Sequence, residues 1–172
     1  TPGATRFYRS AGELALQRIL PGSGVVIRTA WLYSAIGNNF VKTMLRLMRE
    51  RKEIRVVCDQ VGTPTHAGGL AEVIRRMALD ASVAGVFHWT DAGVASWYDF
   101  AVAIYEEGCA LGMLPAGVNV LPIPSVEYPT PARRPSFSVL DKAESYRRFQ
   151  MPATHWRVHL REVLAEIAEQ EK

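Results

Sequence analysis

The stretch "GVVIRTAWLYS", Gly24 to Ser34, decides how this chain is read. Val25, Val26 and Ile27 form an unbroken β-branched run just after a helical pattern. A half-exposed strand would alternate apolar and polar residues. An unbroken run instead suits a strand buried on both faces of a parallel sheet. Its carboxyl end then turns polar and aromatic, with Arg28, Thr29, Trp31 and Tyr33. In open α/β sheets, ligands gather at such carboxyl ends.

Working outward, the pattern alternates. Upstream, residues 1–9 carry no clear periodicity, and Ala11 to Leu20 reads as a helix stopped by Pro21-Gly22. Downstream, "GNNFVKTMLRLMRER" reads as a helix capped by Asn38 or Asn39, with Phe40, Met44, Leu47 and Met48 on one face. "IRVVCDQ" supplies a second strand over Ile54–Cys58, and "VGTPTHAGG" a turn fixed by Gly62 and Pro64. A helix from about His66 to Leu79 and a third strand, "GVFHWT", follow. Ser96 and Asp99 have capping-box spacing, as do Asp141 and Glu144. Trp97, Phe100, Ala101 and Ile104 line one helix face, and Trp97 and Tyr98 read as packing residues. "VNVLPIP" is extended, and a last helix over Thr154–Glu169 buries Trp156, Leu160, Val163, Leu164 and Ile167. Strands alternating with helices make the class α/β.

Composition limits the function. The chain has 172 residues, 48% of them hydrophobic, which suffices for one sizeable core. Net charge is +3, and lysines and arginines are interspersed with acids, so no nucleic-acid partner is expected. No apolar run is long enough for a membrane span, and no signal-peptide pattern is present. Cys58 and Cys109 are far apart in apolar surroundings, which suits free thiols in a reducing cytoplasm. His66 and His88 are isolated, without metal-ligand spacing. No G-x-G-x-x-G turn follows a strand.

Four stretches in this order carry a resemblance: "RTAWLYS" with "GNNFVKTMLRL", "RVVCDQVGTPT", "SWYDFAVAIYEEG" and "YPTPARRPSFSVLD". Together they resemble the dTDP-4-dehydrorhamnose reductases, extended short-chain dehydrogenase/reductases that reduce the 4-keto group of a dTDP-linked 6-deoxy sugar with NADPH or NADH. The resemblance covers the family's C-terminal, substrate-binding half. It implies a few parallel strands of a Rossmann sheet plus a small α/β lobe, with residues 1–172 forming one unit. The dinucleotide-binding N-terminal half is expected to be missing, so that half is an implied partner and this chain alone is expected to bind no cofactor. A homo-oligomer is a further expectation.

The resemblance also assigns residues. Trp31 matches a tryptophan that lies against the sugar; the bland alternative is a core tryptophan. Arg133 and Arg134, held between Pro131 and Pro135, are candidate phosphate ligands, since guanidinium forks grip phosphate in pairs. The alternative is an ion pair with Glu127 or Asp141. The family's catalytic Tyr-x-x-x-Lys is not intact. "AGE" at Ala11 to Glu13 matches, yet Gly12 follows Tyr8 at the lysine spacing, and alignment from "AGE" puts Thr5 and Arg9 at the Tyr and Lys positions. Tyr8 remains as a displaced candidate for the proton donor. Gly68 stands where an acid of a family metal site would be, so no metal is expected. A second reading is a catalytically inactive nucleotide-sugar-binding or regulatory module, like the regulatory subunit of methionine adenosyltransferase.

Overall fold

A computed structural model describes residues 2–131 and 134–172, with side chains described from residue 11 onward. Helix α1 spans Pro2–Ile19, earlier than the sequence pattern suggested. Pro21-Gly22 ends it, with Gly22 at φ 83° and the Gly24 amide donating to the Leu20 carbonyl at 2.9 Å. The "VVIR" run becomes β1, Val25–Arg28. It pairs in parallel with β6, Gly85–His88, in the register Val25 to Gly85 through Arg28 to His88. The parallel pairing matches the expectation, but the burial does not. Val25, Val26 and Ile27 are only half-buried, because β6 is the only strand paired with β1 among the described residues.

Helix α3, Ala67–Leu79, and the short helix α5, Ala143–Arg148, close one core beside this pair. Val73, Met77, Phe87, Trp89 and Phe149 are buried there. The capping box expected at Asp141 and Glu144 does not form. Lys142 holds the cap position, and Asp141 Oδ1 instead accepts from the Ala143 amide at 3.0 Å.

The larger core lies under three helices: α2, Phe40–Glu50; α4, Trp97–Ala110; and α6, Trp156–Gln170. Strand β3, Glu53–Val57, and its parallel partner β8, Asn119–Ile123, form its floor. Pro122 lacks an amide hydrogen, and β8 tolerates it because β3 is its only strand partner among the described residues. Phe100, Ile104, Leu160 and Leu164 are essentially inaccessible, and each stabilises the fold by about 1.5–3 kcal/mol. All five residues assigned to the core face of the last helix are buried. The Ser96–Asp99 capping box is formed: Ser96 Oγ accepts from the Asp99 amide at 3.0 Å, and Asp99 Oδ2 accepts from the Ser96 amide at 2.8 Å. Asn39, of the two candidates, caps α2 and accepts from the Lys42 amide at 3.2 Å.

Three short pairings hold the loops between the cores. Strand β2, Leu32–Tyr33, runs parallel to β5, Thr65–His66, and β4, Val61–Gly62, runs antiparallel to β7, Ala95–Ser96. The segment after the paired arginines joins β4 as well. The Val61 amide donates to the Ser136 carbonyl at 2.7 Å, and the Ser138 amide donates to the Val61 carbonyl at 2.8 Å. That ladder fixes the downstream end of "PARRPSFS". No helix among the described residues is long and apolar enough to cross a membrane.

Candidate functional site

A cleft of about 690 Å³ opens between α2, β3 and the turn that leads to Arg134. Phe40, Met44 and Leu47 from α2 make its apolar wall, and Val56 and Gln60 come from β3 and the loop after it. Asp59, next to Gln60 in sequence, ties that loop to Ser125. Its carboxylate accepts from the Ser125 amide at 2.9 Å and from Ser125 Oγ at 2.9 Å, and these bonds hold the acid below its usual pKa range. Guanidinium groups from Arg51, Arg55 and Arg134 face the same space, with Glu53 and Glu127 among them. The two acids weighed as partners of the paired arginines are engaged elsewhere. Glu127 pairs with Arg55, and Asp141 closes the turn into α5.

Arg134 instead places its guanidinium carbon 5.8 Å from the ring centroid of Trp97, a cation–π arrangement at the cleft mouth. Trp97 packs against the larger core, as its place on the helix implies. It lines the cleft, packs on Phe40 at 4.8 Å and stacks on Trp31 at 3.6 Å with planes 10° apart. The only advance signal was its position: the first residue of a helix, directly after the capping serine, where side chains point out of the helix start.

Trp31 lies beyond the end of β1, just before β2, and does not offer that ring face to the cleft, because Trp97 covers it. Its backbone is left-handed, φ 51°, a strained state for a bulky residue. A bond from the Thr65 amide to its carbonyl, 3.0 Å, helps hold it. Gly62 is required beside it. A Cβ there would lie 2.6 Å from Trp31 Cε2 and 2.8 Å from Ser138 Oγ. Arg133 lies outside the described residues. Tyr8 falls within α1, and its side chain is likewise outside what is described.

The remaining strand-end residue, Tyr33, belongs to the core. Its hydroxyl donates to the Trp156 carbonyl at 3.0 Å, and burial raises its pKa. Arg28 is tied to Glu13 of α1, with Nε to Oε1 at 3.0 Å. Cys58 and Cys109 are free thiols, half-buried rather than enclosed.

The histidines are not isolated. His88 Nδ1 lies 2.9 Å from the Asp141 carbonyl oxygen. The His66 amide donates to Asp91 Oδ2 at 3.1 Å, and the His66 ring lies 4.9 Å from that of His159. His159 Nδ1 approaches the same Asp91 oxygen at 3.0 Å, close enough for a charge contact but not aligned as a hydrogen bond. Burial pushes the Asp91 carboxyl up and the His66 imidazole down, since each charged form loses hydration. Among the described residues, no three His, Cys, Asp or Glu side chains are grouped to hold a metal.

Beyond β6 the chain runs through Trp89, Thr90 and Asp91, all buried.

Comparisons with known proteins bear on the family. The sequence model of a family described as the RmlD substrate binding domain matches residues 4–169. The dTDP-4-dehydrorhamnose reductase of Escherichia coli (strain K12) is 41% identical over 162 residues, covering 91% of this chain and 54% of that protein. The crystal structure of a dTDP-4-dehydrorhamnose reductase from Clostridium acetobutylicum superposes with a TM-score of 0.73 at 40% identity, covering 83% of this chain and 48% of that one. The corresponding reductase from Bacillus anthracis, solved with NADP, gives 0.72 at 36% identity over the same shares. The chain thus spans about half the length of the curated relatives it matches.

Proposed function

This chain belongs to the dTDP-4-dehydrorhamnose reductase family through its substrate-binding domain, and on that premise we propose that it forms the sugar-nucleotide-holding half of such an enzyme. The cleft takes the dTDP moiety. Its apolar wall of Phe40, Met44 and Leu47 suits a flat base, and the guanidinium of Arg134 suits the diphosphate. Arg133, its neighbour in sequence, supplies a second charge to the same diphosphate. The 6-deoxy sugar extends toward Trp31, whose ring face Trp97 covers in the structure, since apolar sugar faces stack on indole.

One observation carries the reading: Arg134 is held 5.8 Å from an aromatic ring centroid at a cleft whose Glu127 pairs with Arg55. A diphosphate offers that cation charge-assisted hydrogen bonds that an indole face does not.

The whole enzyme reduces the 4-keto group with a hydride from NADPH. In this proposal the cofactor, the glycine-rich turn and most of the parallel sheet are supplied by an N-terminal half that pairs along β1. The half-buried Val25–Ile27 edge supports that docking, as do the exposed Leu14 and Ile19 of α1. The proton donor of the reaction is not assigned to Tyr8, since no lysine follows it at one helical turn. The inactive regulatory module is not favoured, because the three relatives named above are reductases.

Calorimetry tests the proposal directly. Titration with dTDP-rhamnose should give saturable binding in the absence of NADPH. Titration with NADPH alone should give none. Absence of dTDP-rhamnose binding at unchanged folding overturns the proposal.

A further inference from the structure

Trp97 stands between the cleft and Trp31. It lines the cleft, whereas Trp31 does not, and it covers a full face of the Trp31 ring at stacking distance. The Arg134 guanidinium carbon lies 5.8 Å from its ring centroid, and Phe40 packs beside it at 4.8 Å. Gly62 lies close against the Cε2–Nε1 side of Trp31, so the ring cannot simply retreat in that direction. A ligand extending from the cleft to Trp31 therefore meets Trp97 first.

Trp97 is also the aromatic of this group best placed to move. It is the first residue of α4, so no preceding helical turn restricts its χ1. Its backbone, by contrast, is fixed by the Ser96–Asp99 capping box one residue away. Trp31 has the opposite character. Its left-handed backbone is pinned by the Thr65 amide, which holds the ring in place.

We propose that Trp97 is a plug displaced by the sugar, and that this makes it a specificity-determining residue. The inference rests on the sugar-nucleotide reading above. In the structure, Trp97 occupies the face of Trp31 that a sugar ring requires. A nucleoside diphosphate sugar draws Arg134 off the indole and onto its diphosphate. The indole then rotates away, and the apolar face of the sugar replaces it on Trp31. A bare nucleoside diphosphate has no ring to put in that place and leaves the indole pair closed. The sugars favoured are those with an uninterrupted apolar face, because only these replace the lost indole contact.

The test uses wild-type protein, Trp97→Ala and Trp97→Phe, each titrated with dTDP and with dTDP-rhamnose. Circular dichroism follows the exciton couplet of the stacked indoles. Saturating dTDP-rhamnose should abolish the couplet of the wild-type protein, and dTDP should preserve it. Removing the plug frees the competent state, so Trp97→Ala should bind dTDP-rhamnose about tenfold more tightly relative to dTDP, and Trp97→Phe should fall between. A couplet that persists at dTDP-rhamnose saturation overturns the plug and leaves the sugar-nucleotide reading intact. Failure of both ligands to bind wild-type protein overturns both. The couplet is read on wild-type protein, so a variant that fails to fold does not remove the test.

Discussion

The indole of Trp31 lies flat on that of Trp97, with ring centroids 3.6 Å apart. The two residues come from the connection between β1 and β2 and from the start of α4, far apart in sequence, and their contact joins that connection to the cleft wall. Gly62 allows it. Gly62→Ala would place a methyl carbon 2.6 Å from Trp31 Cε2, with the β4 backbone unable to give way. Overpacking of this kind costs about 1–3 kcal/mol. Urea unfolding should register that loss, and calorimetry should show weakened dTDP-rhamnose binding. A variant with wild-type stability and affinity would show that Trp31 has more room than its surroundings indicate.

The paired arginines separate ligand from scaffold. Replacing both Arg133 and Arg134 by Ala should weaken dTDP-rhamnose binding by about 2–4 kcal/mol, since charge-assisted hydrogen bonds to the diphosphate are lost. The melting temperature should move little, because Arg134 is exposed and the turn is anchored by the Val61 ladder. Unchanged affinity in a folded double variant would assign the pair to the scaffold.

The capping box at the start of α4 supports both helix and site. Ser96→Ala removes the acceptor for the Asp99 amide, and Ser96 is buried. The expected cost is about 1 kcal/mol, up to about 2 in this enclosed setting. Because Trp97 follows directly, the indole couplet should also diminish. Loss of stability with an unaltered couplet would mean that the cap does not position Trp97.

Stability should fall on mild acidification through His66. Desolvation, reinforced by the neighbouring His159, lowers its pKa in the folded chain, while Asp91, Glu162 and Glu166 pull the other way without reversing the shift. As pH drops below the ordinary histidine value of about 6.5, the unfolded chain binds the proton first. The stability present above that value is therefore lost as pH falls toward the folded pKa. Asp91 has the opposite slope, because its raised pKa makes its burial costlier as pH rises above about 4, the ordinary aspartate value. Thermal melts between about pH 7.5 and pH 5 should show a declining melting temperature that His66→Gln flattens. A wild-type profile that is level across this window, or rises toward acid, contradicts the assignment.

Exposed apolar side chains on α1 give a further expectation. Ile19 is 75% exposed and Leu14 52%. The chain should bind an apolar fluorescent dye, and Leu14→Lys with Ile19→Lys should reduce that signal without destabilising either core. Undiminished dye binding would place the apolar surface elsewhere.

The elements legible in the sequence are those that short-range rules govern. Three parallel-sheet strands, the Ser96–Asp99 capping box and the buried face of the last helix follow from side-chain period and cap chemistry within a few residues. The motif order also carried the family. What sequence could not supply was the set of neighbours that meet across long separations. Trp97 packs on the core as its helix position implies, yet helical period says which side a residue faces, not which loop arrives there. His66 read as isolated because Asp91 and His159 reach it only when the start of α3, the loop after β6 and α6 converge. The Asp141 cap failed for a related reason, since Lys142 took the cap position and the acid closed a turn instead. Local propensity fixes dihedral angles and amphipathic faces. Tertiary packing decides which faces and loop ends come into contact, and the candidate site is made of those contacts.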